Sequence, residues 1–297
     1  MIAHALDSLL NLGRTPDTSV WRSGTRLLHT RHGMLRVLDT GQHKDEHASA
    51  PVVLMVPDGP NVIEHHHAVI ESLALHARVI CFDMPGFGYS RPTLRYAHTA
   101  QQGAEAVLSV MDALDIHEAS LFFSCANGYY AISAAKLAPH RIRRLLLCQT
   151  PGLQAMRAWT ERNVPTAIRT PVVGQVLMRV ARRKFAHTWY GIAMSDKPQR
   201  AEFRNVAEHA LTHGGCFCLA GVVQGLSGMQ EAQMSGVKAP VTLLWGDADR
   251  SHKHTQAESL LKLLPQADVR HFPGCGHFPD LEQPERYIEI ALAALVV

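Results

Sequence analysis

The chain has no apolar run long enough to span a bilayer, so it does not read as a helical membrane protein. Its first residues, Met1 to Leu12, are apolar only in patches, carry His4 and Asp7, and lack the basic start of a signal peptide; a cytoplasmic protein is the expectation. Strong charge of one sign is also missing. Lys and Arg number 29 against 26 Asp and Glu, leaving +3 with histidine neutral, which is too small an excess to argue for a nucleic-acid partner. The clusters Arg141, Arg143, Arg144 and Arg182, Arg183, Lys184 read as solvated ends of helices or strands. Cysteine is sparse as well. Cys81, Cys125, Cys148, Cys216, Cys218 and Cys275 show no spacing of a disulfide-rich secreted domain, and a reducing compartment fits them. Cys216-Phe217-Cys218 lacks the second pair that a structural zinc site needs and reads as core packing; no metal and no cofactor are expected. Internal repeats and low-complexity tracts are absent, and the oligomeric state leaves no mark on the sequence.

What is present is enough apolar residue, 46% of 297, to bury a substantial core. Apolar runs bounded by turn residues recur at Leu35 to Leu38, Val52 to Val56, Val79 to Phe82, Ser120 to Phe123, Arg144 to Cys148, Val241 to Trp245 and Val269 to Phe272. Amphipathic helical stretches such as Ala100 to Leu114 and Thr255 to Leu264 lie between the later ones. Strands alternating with helices predict an α/β fold with a mostly parallel sheet flanked by helices. From Pro151 to about Lys238 the alternation stops and the pattern is helical only. The expected organisation is a core of residues 1–150 and 239–297, with residues 151–238 inserted as a helical cap. Glu64-His65-His66-His67 places adjacent histidines in different directions on a helix, so it reads as a solvated helix start rather than a metal site.

Chemistry enters at Ser124-Cys125-Ala126-Asn127-Gly128, between the buried run ending at Phe123 and a small-residue helix from Tyr129 to Leu137. This strand, tight turn and helix resembles the nucleophile elbow of the α/β-hydrolase family, written G-x-S-x-G, with Cys125 at the position of the nucleophile and Phe123 and Asn127 where small residues are usual. Three further segments carry the same resemblance in the same order. They are Asp83-Met84-Pro85-Gly86-Phe87-Gly88-Tyr89-Ser90, Leu244-Trp245-Gly246-Asp247-Ala248-Asp249, and Pro273-Gly274-Cys275-Gly276-His277-Phe278-Pro279. The resemblance implies a triad: Cys125 as nucleophile, His277 as base, and Asp249 as the carboxylate that orients the imidazole. Against it stand blander readings, a small buried cysteine, a core histidine and a turn aspartate, with Asp247 the rival for the acid. A helix N-terminus and an imidazole beside Cys125 both predict a thiolate.

The family's oxyanion loop follows the third strand, and here that loop is Pro57-Asp58-Gly59-Pro60-Asn61. Asp58 stands where histidine is usual, and Pro60, placed at the donor position, has no N–H to give. Ala126 N–H remains as one donor, and Asn61 is the expected second if the loop takes another path. Together with Asp58 and Gly59 these residues form the expected oxyanion and substrate-binding set. The implied activity is cleavage or transfer of the acyl group of an ester, thioester or lactone, the small-molecule substrate being free or carrier-bound. Cysteine at this position is known in dienelactone hydrolases, polyester synthases and some assembly-line thioesterases. Two alternatives stay open: a non-catalytic small-molecule-binding protein, and non-ester chemistry such as C–C cleavage or a lyase reaction. Trp159, Trp189, Tyr190, Met178, Met194 and Phe203 in the cap point to an apolar or aromatic substrate portion.

Overall fold

The computed structural model describes residues 2–41 and 50–295. Its strands are β1 (Thr25–Thr30), β2 (Gly33–Asp39), β3 (Val52–Val56), β4 (Arg78–Phe82), β5 (Phe87–Gly88), β6 (Arg91–Pro92), β7 (Ala119–Ser124), β8 (Ile142–Cys148), β9 (Cys216–Phe217), β10 (Val241–Gly246) and β11 (Asp268–Phe272). The main sheet runs β1-β2-β4-β3-β7-β8-β10-β11, parallel from β4 onward, with an antiparallel β1-β2 hairpin at one edge. The hairpin partner β1 was not predicted, because its Thr-Arg-Leu-Leu-His-Thr run is only half-buried and carries no apolar block.

Period-two alternation decides which way each strand side chain points. Leu54, Val56, Ile80, Phe82, Leu121, Phe123, Leu145 and Leu147 enter one core with helices α3 (Ala100–Ala113) and α4 (Asn127–Leu137). Val53, Met55, Val79, Cys81, Phe122, Leu146 and Cys148 enter the opposite core with α2 (His67–Leu73) and the C-terminal α11 (Pro284–Ala293). Because both faces are covered, the parallel strands are continuous apolar runs, and β7 and β10 are buried along their whole length. Helix α3 starts where Thr99 Oγ1 accepts from Gln102 N at 3.2 Å, and it packs on α4 with Gly103 flat against the Tyr130 ring.

Between β8 and β10 lie α5 (Leu153–Asn163), α6 (Thr166–Arg169), α7 (Val173–Ala193), α8 (Lys197–Thr212) and α9 (Leu219–Gly228). The segment is not helical only: β9 within it pairs antiparallel with β5, a short bridge that sequence periodicity cannot show in two residues. The turn between α7 and α8 is tied to the core by Glu282, whose Oε2 accepts from Ser195 N at 2.7 Å and Ser195 Oγ at 2.6 Å. Helix α1 (Ile2–Leu9) packs on α7 and α9, and α10 (Pro279–Glu282) carries Glu282. No helix of the described residues is long and apolar enough to cross a membrane.

Two expectations fail here. The predicted helix at 255–264 is only a 3₁₀ turn over Ala257–Lys262, closed off by Pro265, which disfavours helical geometry in the residue before it. The Glu64-to-His67 segment is not a solvated helix start. His65 and His66 are buried, with His66 Nε2 2.9 Å from Asp280 Oδ2 and His65 Nε2 2.9 Å from the Phe203 carbonyl oxygen. Elements distant in sequence close over them, and burial pushes His65 down to about 4, so it is neutral.

One buried ion network holds the loops beneath the site. Arg36, fully buried on β2, donates to Asp83 at 2.7 Å and to Glu64 at 2.6 and 3.0 Å, with its guanidinium 4.5 Å above the Tyr89 ring. Asp83 in turn accepts from Tyr89 N at 2.9 Å, and Ser90 Oγ donates to the Asp83 carbonyl at 2.6 Å, which explains the spacing of the Asp83-to-Ser90 turn. Arg36→Met leaves two carboxylates without their cation and is expected to cost about 3–5 kcal/mol. A urea titration checks it: the midpoint should fall with the slope unchanged, and an unmoved midpoint would show that the network carries no net stability.

Candidate active site

The turn after β7 is strained in the way a presented side chain requires. Cys125 has φ +52°, a left-handed conformation that is costly for a residue with a Cβ, while Ser124 ends the strand and α4 begins at Asn127. Three bonds hold it. Cys125 N donates to the Cys148 carbonyl at 2.7 Å, Thr150 Oγ1 to the Cys125 carbonyl at 2.9 Å, and Gly128 N to the same carbonyl at 3.1 Å. The departures from small residues have local reasons: Phe123 packs edge-on against Phe82 at 6.1 Å, and Asn127 Nδ2 donates to the Pro57 carbonyl at 3.2 Å, tying the turn to the loop after β3.

His277 is fully buried, and its Nδ1 lies 2.6 Å from Asp249 Oδ2. The same carboxylate is saturated by Gln149 Nε2 at 2.8 Å and by Ser251 N and Oγ at 2.8 and 2.6 Å. Burial alone would raise Asp249, but the charge of His277 and these donors hold it well below the usual carboxylate range. Asp247 is exposed and bonds His271 at the surface, so it is not the residue on His277. Gln149 and Ser251 escaped sequence reading. Ser251, two residues after Asp249, had a local signal as a turn residue; Gln149 had none, its φ of +48° after β8 being a product of the fold.

The structure brings Asp58 to the same imidazole. Its Oδ2 is 3.2 Å from His277 Nε2, close enough for an ion pair but outside hydrogen-bond geometry. His277 therefore sits between two carboxylates. Burial opposes its charge, yet Asp249, Cys125 and Asp58 together raise it well above the ordinary histidine value. Cys125 behaves contrary to the expectation of a resting thiolate. Burial raises the thiol, Asp58 raises it further, and His277 and the Ala126 N–H only partly oppose them, so the resting sulfur carries its proton. Asp58 is itself raised, first by burial, with His277 pulling the other way.

Gly59 rather than Pro60 stands beside Cys125 and Ala126 on the cavity wall. Among the described residues Gly59 N–H donates to no protein group, and its lack of a side chain is required because the Phe87 ring lies where a Cβ would be. Pro60 and Asn61 do not line the cavity. Asn61 Oδ1 accepts from Tyr190 OH at 2.6 Å, away from the sulfur.

The cavity above Cys125 is about 170 Å³ and strongly apolar, walled by Phe87, Met156, Trp159, Phe185, Trp189 and Phe217 among others. Asp58, Asn127, Asn163, Thr188 and Ser251 are its polar side chains, and none of the lining residues is cationic. Of the six residues singled out from the 151–238 segment, Trp159 and Trp189 line it, while Tyr190, Met178, Met194 and Phe203 pack elsewhere. His252, which no motif indicated, is buried beside His277, its ring stacked 5.3 Å from that imidazole.

The sequence matches the family model for the alpha/beta hydrolase fold over residues 51–284. It is 24% identical over 265 residues to a 2-hydroxy-6-oxo-2,4-heptadienoate hydrolase of Pseudomonas putida, covering 85% of this chain and 91% of that protein. A zearalenone hydrolase of Bionectria ochroleuca is 35% identical over 112 residues, 36% of this chain and 42% of that protein. Among solved structures, epoxide hydrolase A from Mycobacterium thermoresistibile superposes with a TM-score of 0.74 at 15% identity, covering 95% of this chain and 98% of that one. At that identity the likeness is one of fold.

Proposed function

This chain belongs to the α/β-hydrolase fold family and is a hydrolase of it, and on that premise we propose that Cys125 is its nucleophile and that it cleaves a neutral, largely apolar acyl compound, an ester, lactone or thioester, through an S-acyl intermediate. The carrying observation is Cys125 at φ +52° on the cavity wall, with a His277 ring nitrogen within 4.8 Å of its sulfur and Nδ1 of that ring bound by Asp249. Residues 151–238 act as the cap that supplies the apolar wall.

In this reading His277 and Asp58 handle one proton together. The resting thiol passes its proton through His277 Nε2 to the Asp58 carboxylate, leaving thiolate beside imidazolium. The sulfur attacks the acyl carbon, and the N–H groups of Gly59 and Ala126 receive the oxyanion, each worth about 3–4 kcal/mol of transition-state stabilisation. The leaving group takes the proton from His277 Nε2, and the imidazole so freed accepts one from water as the hydroxide cleaves the thioester and expels the thiolate. The acid departs, and the proton held by Asp58 returns through His277 to the sulfur.

A neutral substrate is favoured by the wall itself. A heptadienoate carries a carboxylate, and burying one against Trp159 and Phe217 beside Asp58 costs several kcal/mol unless a cation meets it, and no residue of that wall is cationic. A second reading rests on the long match to the 2-hydroxy-6-oxo-2,4-heptadienoate hydrolase, whose named substrate has a ketone but no ester, so that its hydrolysis breaks a carbon–carbon bond. Intact-mass spectrometry after brief exposure to a series of neutral esters and lactones tests the first reading: an acyl mass added at Cys125 and lost with hydroxylamine is expected. Turnover of a 6-oxo-dienoate with no adduct from any ester would instead establish the second.

Asp58→Asn keeps the shape and removes the charge that holds the thiol protonated. The midpoint for alkylation of Cys125 by iodoacetamide is expected to move down by about one pH unit, since loss of a nearby anion favours the thiolate. A midpoint that stays where it is would show that the charge of Asp58 is not felt at the sulfur.

A further inference from the structure

Near the triad one buried side chain has nothing to do in acyl transfer. His252 is 3% exposed, and neither of its ring nitrogens has a hydrogen-bond partner among the described residues. A buried imidazole ordinarily finds at least one partner. The ring is held by faces instead: stacked on Trp159 at 5.1 Å and 8°, on His277 at 5.3 Å and 26°, and edge-on to Trp245 at 5.6 Å. Its backbone is fixed by the turn that carries Asp249, with His252 N donating to the Asp249 carbonyl at 3.3 Å, and Trp159 Nε1 donates to the neighbouring Ser251 carbonyl at 2.8 Å. The orientation is therefore built without any use of the nitrogens.

One donor atom each from Cys125, His252 and His277 lies within 4.8 Å of the other two. We infer that these three side chains form a binding site for a thiophilic divalent cation, with Zn²⁺ the representative, whose occupancy takes the sulfur and the imidazole out of use. A soft thiolate with two imidazoles is a donor set suited to zinc. At ordinary Zn–S and Zn–N lengths a tetrahedral site needs donors about 3.5 Å apart, so no side of the triangle has to shorten by more than roughly an ångström, a side-chain adjustment.

Two further features agree with this assignment. Asp249 occupies His277 Nδ1 and leaves Nε2 for a metal, the carboxylate–histidine arrangement that commonly orients such a ligand. Asp58, 3.2 Å from that same Nε2, adds a second negative charge beside the thiolate, so that a dication can be neutralised inside a buried pocket. Binding sends the thiol proton and the proton on His277 Nε2 to the buffer, and the lone pairs they leave become the metal bonds. Access runs through the cavity lined by Cys125 and Ser251. The binding site does not depend on Cys125 being the nucleophile; only its consequence for turnover rests on that proposal.

The test is an anaerobic titration of the reduced full chain with Co²⁺, whose colour reports its ligands. A thiolate-to-cobalt charge-transfer band with visible bands of four-coordinate geometry is expected at one equivalent, bleached by one equivalent of Zn²⁺. Cys125→Ser should abolish the charge-transfer band. His252→Phe keeps a ring between Trp159 and His277 but offers no nitrogen, and it should weaken Zn²⁺ competition at least tenfold; His252→Gln provides the same test should the phenylalanine variant misfold by circular dichroism. No band in the wild type, a band that survives Cys125→Ser, or unchanged affinity in both folded His252 variants would each overturn the site. A chain that binds Co²⁺ but forms no S-acyl adduct would keep this site and sink the nucleophile, and the reverse result would do the opposite.

Discussion

Cys125→Ala is expected to lose at least about 10³-fold in kcat and all covalent labelling by acyl substrates, while its thermal unfolding stays near that of the wild type. Removing a nucleophile leaves only the binding and oxyanion contributions, and these alone seldom recover more than a small part of the rate. The stability expectation follows from the strain at φ +52°, which alanine shares, and from the small volume of the sulfur that is lost. Peptide mapping with limiting iodoacetamide is the companion measurement. Burial raises the Cys125 thiol too, but it is the cysteine on the cavity wall with an imidazole beside it, whereas Cys81, Cys148 and Cys218 are held well above the ordinary thiol value and Cys216 is pushed up to about 11. First labelling at any of those four would remove the nucleophile assignment even if the alanine variant were inactive.

The second large effect is expected at Asp249. Its replacement by asparagine keeps the bonds from Ser251 within reach but reverses the polarity toward His277, since an amide nitrogen facing Nδ1 forces the proton onto the other ring nitrogen. The base is then blocked at Nε2, and a fall of about 10³–10⁴ in kcat with little change in KM is expected. Asp247→Asn provides the comparison, because that carboxylate is exposed and paired with His271 at the surface; it should change stability by no more than about 0.5 kcal/mol and leave turnover alone. Steady-state kinetics on both variants decide the matter. A silent Asp249→Asn with a damaging Asp247→Asn would move the acid by two residues and with it the whole reading of the loop after β10.

How much of this was legible in the sequence depended on whether a signal was local. The parallel core strands could be read because each is buried on both faces and so becomes an unbroken apolar block, as Leu243 and Leu244 show by entering opposite cores from adjacent positions. The edge strand β1 and the bridge β9 could not, since a half-buried run and a two-residue pairing leave no periodicity to find. Cys125, Asp249 and His277 stood out through their neighbours, glycines and turn residues whose backbone demands are local. The path of the Asp58-to-Asn61 loop was not legible either: only the closed structure sets Gly59 on the cavity wall with Cys125 and turns Asn61 toward Tyr190.

By itself, then, the sequence determined a doubly covered parallel sheet and the positions of three chemically marked side chains, because burial pattern and turn chemistry act over a few residues. Proton affinity and contact across the site were decided by tertiary structure alone. Asp58, Cys125, His252 and His277 arrive from separate loops, and their charges depend on a desolvation and a set of distances that exist only after the sheet has brought those loops together.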